Sequence, residues 1–210
     1  MRHPEDIPPG VDFLSEDAAR KWTREAEGKL HSRIDFFDTF VQAVTAHTLR
    51  VRNVLELGSG PGFLAEYILS RCPSIENYTL LDFSRTMLDM SRKRLEGWSG
   101  LVSFRQVNFK EDGWPSNVGG VYDVIVTIQA VHELRHKRHA LKFYKECRGL
   151  LNDGGMLLVC DRLPQDDSER DRALFMTEDE QVIALTKAGF TNNGLAGKRT
   201  RKLRHTLLRF

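Results

Sequence analysis

Short apolar runs alternate with longer amphipathic stretches over most of this chain, and the alternation predicts an architecture. Runs at residues 53–57, 78–82, 102–107, 122–127 and 156–161 have the length of buried strands, whereas 63–71, 85–96 and 138–151 space their apolar positions as helices do. Strands separated by helices imply a parallel sheet covered on both faces. The run Asn152-Asp153-Gly154-Gly155 reads as a stop for the third of these helices. Beyond the fifth strand the pattern predicts a helix at 178–188, ended by Gly189, and two weaker strands, the second at 203–210. Upstream, residues 16–46 read as two helices with an apolar stripe of Ile34, Phe36, Phe37, Phe40, Val41 and Val44. There is no repeat, low-complexity tract or linker. The chain therefore reads as one domain over residues 1–210, with a helical cap at 1–50 on a core at 51–210.

The first strand breaks directly into glycines. Val54-Leu55-Glu56-Leu57-Gly58-Ser59-Gly60-Pro61-Gly62-Phe63 passes from buried strand through a turn into a helix, the arrangement by which backbone amides meet a nucleotide cofactor. Glycine at 58, 60 and 62 permits positive φ and removes the Cβ atoms that would hold a ligand off the backbone. A dinucleotide fingerprint, G-x-G-x-x-G, needs glycine where Phe63 stands. The G-x-G-x-G frame after Glu56 instead resembles motif I of the class I S-adenosylmethionine-dependent methyltransferases, and the resemblance extends over about residues 51–210. It implies S-adenosylmethionine as cofactor. It also implies a Rossmann-like α/β fold with a seven-stranded, mostly parallel sheet of order 3-2-1-4-5-7-6 and helices on both faces, here with an N-terminal helical extension.

On that resemblance Gly58, Ser59, Gly60 and Gly62 meet the methionine and ribose part of the cofactor. Asp82, twenty residues past Gly62 at the end of the second strand, holds the ribose hydroxyls. From the residues alone, Asp82 and Ser84 equally suit the cap of the following helix. The segment Asp82-Phe83-Ser84-Arg85-Thr86-Met87-Leu88 resembles the family's motif II, which places Phe83 against the adenine and Met87 among the cofactor-binding residues. Asn108 and Phe109 stand where the family usually carries an acid for the adenine amino group. An asparagine carbonyl can accept the same bond, and a surface turn is the competing reading. Glu56 reads either as acting through water or the methionine amine, or as a buried structural anion. Arg33 is the candidate for the methionine carboxylate. The run Thr127-Ile128-Gln129-Ala130-Val131-His132-Glu133-Leu134 resembles motif IV and places Gln129 and His132 at the rim nearest the acceptor. His132 suits base chemistry near neutral pH, with a structural helix cap as the alternative. An Asn or Asp followed by two prolines, the family's usual sign of amine or amide methylation, is absent, which weighs against nucleic-acid bases.

Composition changes this picture in a few places. No run approaches the roughly 18 apolar residues of a membrane span, and the N-terminus lacks an apolar signal region, so a cytoplasmic location is expected. Cys72, Cys147 and Cys160 are far apart and read as reduced thiols. The net charge of +2 conceals a gradient: residues 181–210 hold seven Lys or Arg and no acid, against 24 basic and 29 acidic residues before them. Such a C-terminal patch can hold nucleic acid or be the solvated face of a hairpin. Arg135-His136-Lys137-Arg138-His139, at a predicted helix start, opposes the macrodipole and reads either as attracting an acidic substrate or partner or as solvated surface charge. His132-Glu133-Leu134-Arg135-His136 matches the zinc-protease pattern H-E-x-x-H, but at a strand-to-helix junction, so no metal is expected. The segment 162–176 is too short for a large lid, which leaves cover of the site to residues 1–50 or a second subunit. The expectation is a methyltransferase for a small-molecule oxygen nucleophile. An RNA- or ribosome-directed enzyme is the alternative, ahead of a non-catalytic cofactor-binding protein and a zinc hydrolase.

Overall fold

The computed structural model describes residues 6–166 and 168–191 and the backbone of 205–209. In chain order the elements are α1 (Glu16–Glu27), α2 (Ile34–Thr45), β1 (Asn53–Leu57), α3 (Phe63–Leu69), β2 (Asn77–Asp82), α4 (Arg85–Arg94), β3 (Val102–Gln106), β4 (Tyr122–Ile128), α5 (Ala140–Gly149), β5 (Leu151–Arg162), α6 (Glu169–Leu174), α7 (Glu178–Lys187) and β6 (His205–Arg209). The strands form one sheet of order β3-β2-β1-β4-β5-β6. Strands β1 to β5 run parallel and β6 pairs antiparallel with β5, Val159 opposite Leu208. That is the place expected of the last strand. The other closing strand has no counterpart among the described residues, and residues 192–204 lie outside them, so six strands are described where seven were expected.

Alternation along the strands sends residues into two cores, one on each face of the sheet. Leu55, Leu57, Ile125, Leu157 and Val159 pack with Phe143, Tyr144 and Leu185 from α5 and α7. Val54, Tyr78, Val124, Val126 and Leu158 pack with Phe36, Phe37 and Phe40 from α2 and Leu64 and Ile68 from α3. The apolar stripe of α2 is thus buried against the sheet, although Ile34 itself remains exposed. All three cysteines are buried free thiols. Among the described residues no helix is long and apolar enough to cross a membrane.

Two local expectations need correction. The Asn-Asp-Gly-Gly run does not stop α5, which has already ended at Gly149; it lies inside β5, which starts at Leu151 rather than 156. Leu151 pairs with Tyr122, the register then shifts, and Gly154 takes φ +75°. At Gly155 a Cβ would stand 2.9 Å from the Asn152 carbonyl oxygen, so the glycines serve an irregular strand as well as they would a helix end. The short α6, capped by the Ser168 hydroxyl accepting from the Asp171 N–H, had no counterpart in the sequence pattern.

Candidate active site

Between β1 and β4 the strand order reverses, and the loops leaving the two strands diverge around a cavity of about 510 Å³. The glycine turn forms one wall. Gly58 has φ +67°, its N–H donates to the Leu81 carbonyl at 2.8 Å, and a Cβ there would lie 2.4 Å from the Ala130 Cβ. Gly60 also has positive φ, but no heavy atom lies within 4 Å of where its Cβ would be, so glycine here leaves room beside the backbone. Between them Ser59 is buried, and its Oγ has no hydrogen-bond partner among the described residues.

Two buried carboxylates face this wall. Asp82 Oδ2 accepts from the Gly60 N–H at 2.8 Å and Oδ1 accepts from the Ser84 N–H at 2.9 Å. The cap of α4 is Ser84, whose hydroxyl accepts from the Met87 N–H, so capping does not account for Asp82. Burial pushes the Asp82 carboxyl up to about 6 against those backbone bonds. Glu56, 1% exposed, is pushed up to about 8 by burial; the Tyr78 hydroxyl, donating to Oε2 at 2.7 Å, opposes the shift, and the Asp82 charge adds to it.

On the other side β4 ends in a strained turn. Gln129 has φ +55°, uncommon for a residue with a side chain, and its N–H donates to the Cys160 carbonyl at 2.7 Å. Three residues on, His132 Nδ1 lies 2.7 Å from Asp161 Oδ1, and its backbone N–H donates to Oδ2 at 2.8 Å. Burial disfavours the charged imidazole, but the Asp161 charge and hydrogen bond outweigh it and raise His132 above its ordinary value. Burial likewise opposes ionisation of Asp161, and the His132 contacts and the Arg162 N–H bring it below the usual range. An ionised Asp161 accepts a hydrogen bond from Nδ1–H and leaves Nε2 as the basic nitrogen, with Glu133 Oε1 3.5 Å away. The helix-cap role belongs instead to His136, whose Nδ1 accepts from the Arg138 N–H.

The cavity wall collects Glu56, Gly58, Ser59, Gly60, Asp82, Phe83, Met87, Phe109, Gln129, His132 and Arg33. Gly62 and Asn108 are not on it. Gly62 turns the chain into α3, and the Asn108 carbonyl accepts from the Lys110 N–H in a turn. The structure adds Phe13, Trp22, Lys29 and Phe37 from the N-terminal segment, Glu133 from the 3-10 turn after β4 and Arg162 from the end of β5.

The basic run is engaged by other parts of the chain. Arg135 is 5% exposed, donates to the Ile7 and Pro8 carbonyls and pairs with Glu133. Arg138 and His139 contact Asp6, and Lys137 contacts Glu180. The H-E-x-x-H match is broken at Arg135, which takes φ +70° between two 3-10 turns, so His132 and His136 do not share a helical face. Among the described residues no cluster of His, Cys, Asp and Glu is arranged to hold a metal ion.

A methyltransferase-domain family model matches residues 55–157, the stretch from β1 into β5. The chain belongs to the class I S-adenosylmethionine-dependent methyltransferases. Within that family this methyltransferase is 28% identical over 110 residues to the lovastatin diketide synthase lovF of Aspergillus terreus, which covers 50% of the chain but 4% of the synthase. It is 30% identical over 119 residues to the highly reducing polyketide synthase acrA of Aspergillus aculeatus, covering 54% of the chain and 5% of that protein. The chain thus spans only a few per cent of the length of these curated relatives. Among solved structures, an S-adenosylmethionine-dependent methyltransferase from Clostridium acetobutylicum superposes with TM-score 0.72 at 12% identity, over 90% of this chain and 97% of that one. An O-methyltransferase family protein from Burkholderia thailandensis gives 0.65 at 22%, over 94% and 62%. The family's cofactor is S-adenosylmethionine. The site fits it on two counts: the orphaned Ser59 hydroxyl lies where a polar ligand atom would satisfy it, and the Gly60 position keeps the backbone open to contact.

Proposed function

We propose that this methyltransferase moves the methyl group of S-adenosylmethionine to a small-molecule acceptor whose nucleophilic atom, first of all a hydroxyl oxygen, must lose a proton, and that His132 takes it. The observation that carries this reading is the His132–Asp161 pair at 2.7 Å on the cavity wall. The bound cofactor supplies an activated methyl group on a good leaving group. The chain's own residues bind, orient and exclude water. Gly58, Ser59 and Gly60 meet the methionine and ribose part, Asp82 accepts from the ribose hydroxyls, and Phe83, Met87 and Phe109 wall the adenine. Arg33 holds the methionine carboxylate, and Glu56 faces the methionine amine. Gln129 shapes the rim beside the acceptor. Asp161 orients His132 and balances its positive charge once the proton has arrived. The N-terminal segment, with Phe13, Trp22 and Phe37 on the cavity, covers the site and keeps water out.

A second reading, transfer to an activated carbon, is favoured by the similarity of about half of the chain to polyketide synthases. A polyketide chain offers carbons between two carbonyls, whose protons a histidine can remove. Nothing comparable supports RNA: the 135–139 run is engaged internally, and most of the basic C-terminal residues lie outside the described ones.

The test is incubation with methyl-labelled cofactor and fractionated cell extract, followed by carbon NMR of the labelled product, which separates O-methyl from C-methyl. His132→Ala should lower turnover by about a hundredfold or more with cofactor affinity nearly unchanged. Asp82→Ala should instead weaken cofactor binding by about 1.5–3 kcal/mol. Unaltered turnover in His132→Ala would defeat the base assignment.

A further inference from the structure

Three cations line the cavity, Lys29, Arg33 and Arg162. None has a carboxylate within ion-pair distance among the described residues, unlike the arginines around them. Arg135 is paired with Glu133, Arg138 with Asp6, and Arg94 with Glu27 and Glu66. Arg33 is half-buried near the Trp22 ring, and burial lowers its pKa, opposed only by the Cys160 thiol and by no carboxylate. One anion, the carboxylate assigned above to the cofactor, answers it. Arg162 remains.

Its position is specific. Arg162 follows Asp161 on β5, and its N–H donates to the same Asp161 oxygen that holds the His132 ring. Its guanidinium stands 5.4 Å from the centre of the Phe175 ring, and the His132 ring stands 5.4 Å from that same centre. Base and guanidinium therefore share one aromatic neighbour and face one part of the cavity. A half-buried guanidinium loses hydration, and a planar oxyanion is the partner that can use its parallel donors.

We propose that the methyl acceptor is an anion, whose carboxylate or phosphate group is held by Arg162 while its nucleophilic atom lies at His132. The alternative is that Arg162 only packs on Phe175. This inference rests on the reading of the cavity as the acceptor site. It makes Arg162 a specificity-determining residue, with the exposed Lys29 adding attraction at the mouth.

The experiment measures binding, so that it stands apart from catalysis. With the protein saturated by S-adenosylhomocysteine, the affinities of 4-hydroxybenzoate, 4-hydroxyphenyl phosphate and the neutral 4-hydroxybenzamide are compared by calorimetry. At least one anion should bind tenfold or more tighter than the amide, and which one identifies the oxyanion. Arg162→Gln should abolish the preference, Arg162→Lys should keep part of it, and both should bind S-adenosylhomocysteine as the wild type does, which also reports their folding. Should Arg162→Gln not fold, suppression of the wild-type preference by added salt serves in its place. An amide bound as tightly as the anions, a preference that survives Arg162→Gln, or no anion binding at millimolar concentration would overturn the proposal. A retained preference beside unaltered His132→Ala turnover would remove the base reading alone.

Discussion

Glu56 and Asp82 face the same cavity from buried positions yet titrate in different ranges, about 8 and about 6. Near neutral pH the free protein therefore holds Asp82 ionised and Glu56 largely protonated. For Glu56 the folded value lies above the unfolded one, so above about pH 4.5 the unfolded chain binds fewer protons, and stability falls as pH rises towards 8. Glu56→Gln keeps an acceptor for the Tyr78 hydroxyl and removes the titration. It should flatten that decline in urea-unfolding curves and add about 0.5–2 kcal/mol at the alkaline end, while weakening cofactor binding. Asp82 and His132, also raised, leave a smaller decline, so a variant whose stability fell as steeply as the wild type's would place the titration elsewhere. Within the His132–Asp161 pair the two shifts have opposite signs, His132 raised and Asp161 lowered. His132, raised by Asp161, becomes a competent base only above its ordinary value, so kcat should rise with pH through that raised value. Asp161→Asn removes the opposing charge and leaves burial to act, so the rising limb should move to lower pH and the plateau should fall. A limb that stays in place would mean that another group is the base.

Elements that read correctly from the sequence are those fixed by local pattern. β1 to β4 lie within about a residue of the predicted runs; β1, β2 and β4 are inner strands with long buried apolar stretches, whereas β3 is a part-exposed edge strand, and the glycine turn is legible because its demands are met by neighbours in sequence. What the sequence hid depends on distant partners. Asp161 meets His132 only because β5 lies beside β4 in the sheet; an acid ending a strand next to the one carrying a candidate base was the available signal. The run 135–139 looked like an exposed basic patch because the partners of Arg135, the Ile7 and Pro8 carbonyls, are more than 120 residues away. Phe13 likewise reaches the site through tertiary contact, stacked edge-on against Trp22 and Phe83 with its carbonyl accepting from the Ser84 hydroxyl. This makes Arg135 the anchor of the segment before α1. Arg135→Ala removes the bonds to the Ile7 and Pro8 carbonyls and leaves a residue other than glycine at a positive φ without them, so it should cost about 1–3 kcal/mol in chemical denaturation and increase proteolysis within residues 6–14. Wild-type stability in that variant would show that the anchoring bonds contribute nothing net.

At the scale of the molecule, the cavity joins parts that are separate in sequence, among them three that meet only through the fold: the N-terminal segment, the turn after β1 and the loops leaving β4 and β5. A ligand filling it contacts all three, so its binding energy couples the cap to the sheet. S-adenosylhomocysteine at a hundred times its Kd adds about 2.7 kcal/mol, equivalent to about 5–10 °C in Tm for a chain of this size. NAD should not do so, because the third glycine a dinucleotide turn requires is replaced by Phe63, a buried side chain with the Arg94 guanidinium 4.2 Å from its ring. Tm alone would not show where the ligand sits, and hydrogen exchange does. S-adenosylhomocysteine should slow amide exchange in residues 58–62 and, together with it, in residues 13–37, although most of α2 and all of β1 separate the two in sequence. Protection of 58–62 alone would mean that the N-terminal segment closes over the acceptor and not the cofactor. Protection by NAD equal to that by S-adenosylhomocysteine would defeat the argument from Phe63.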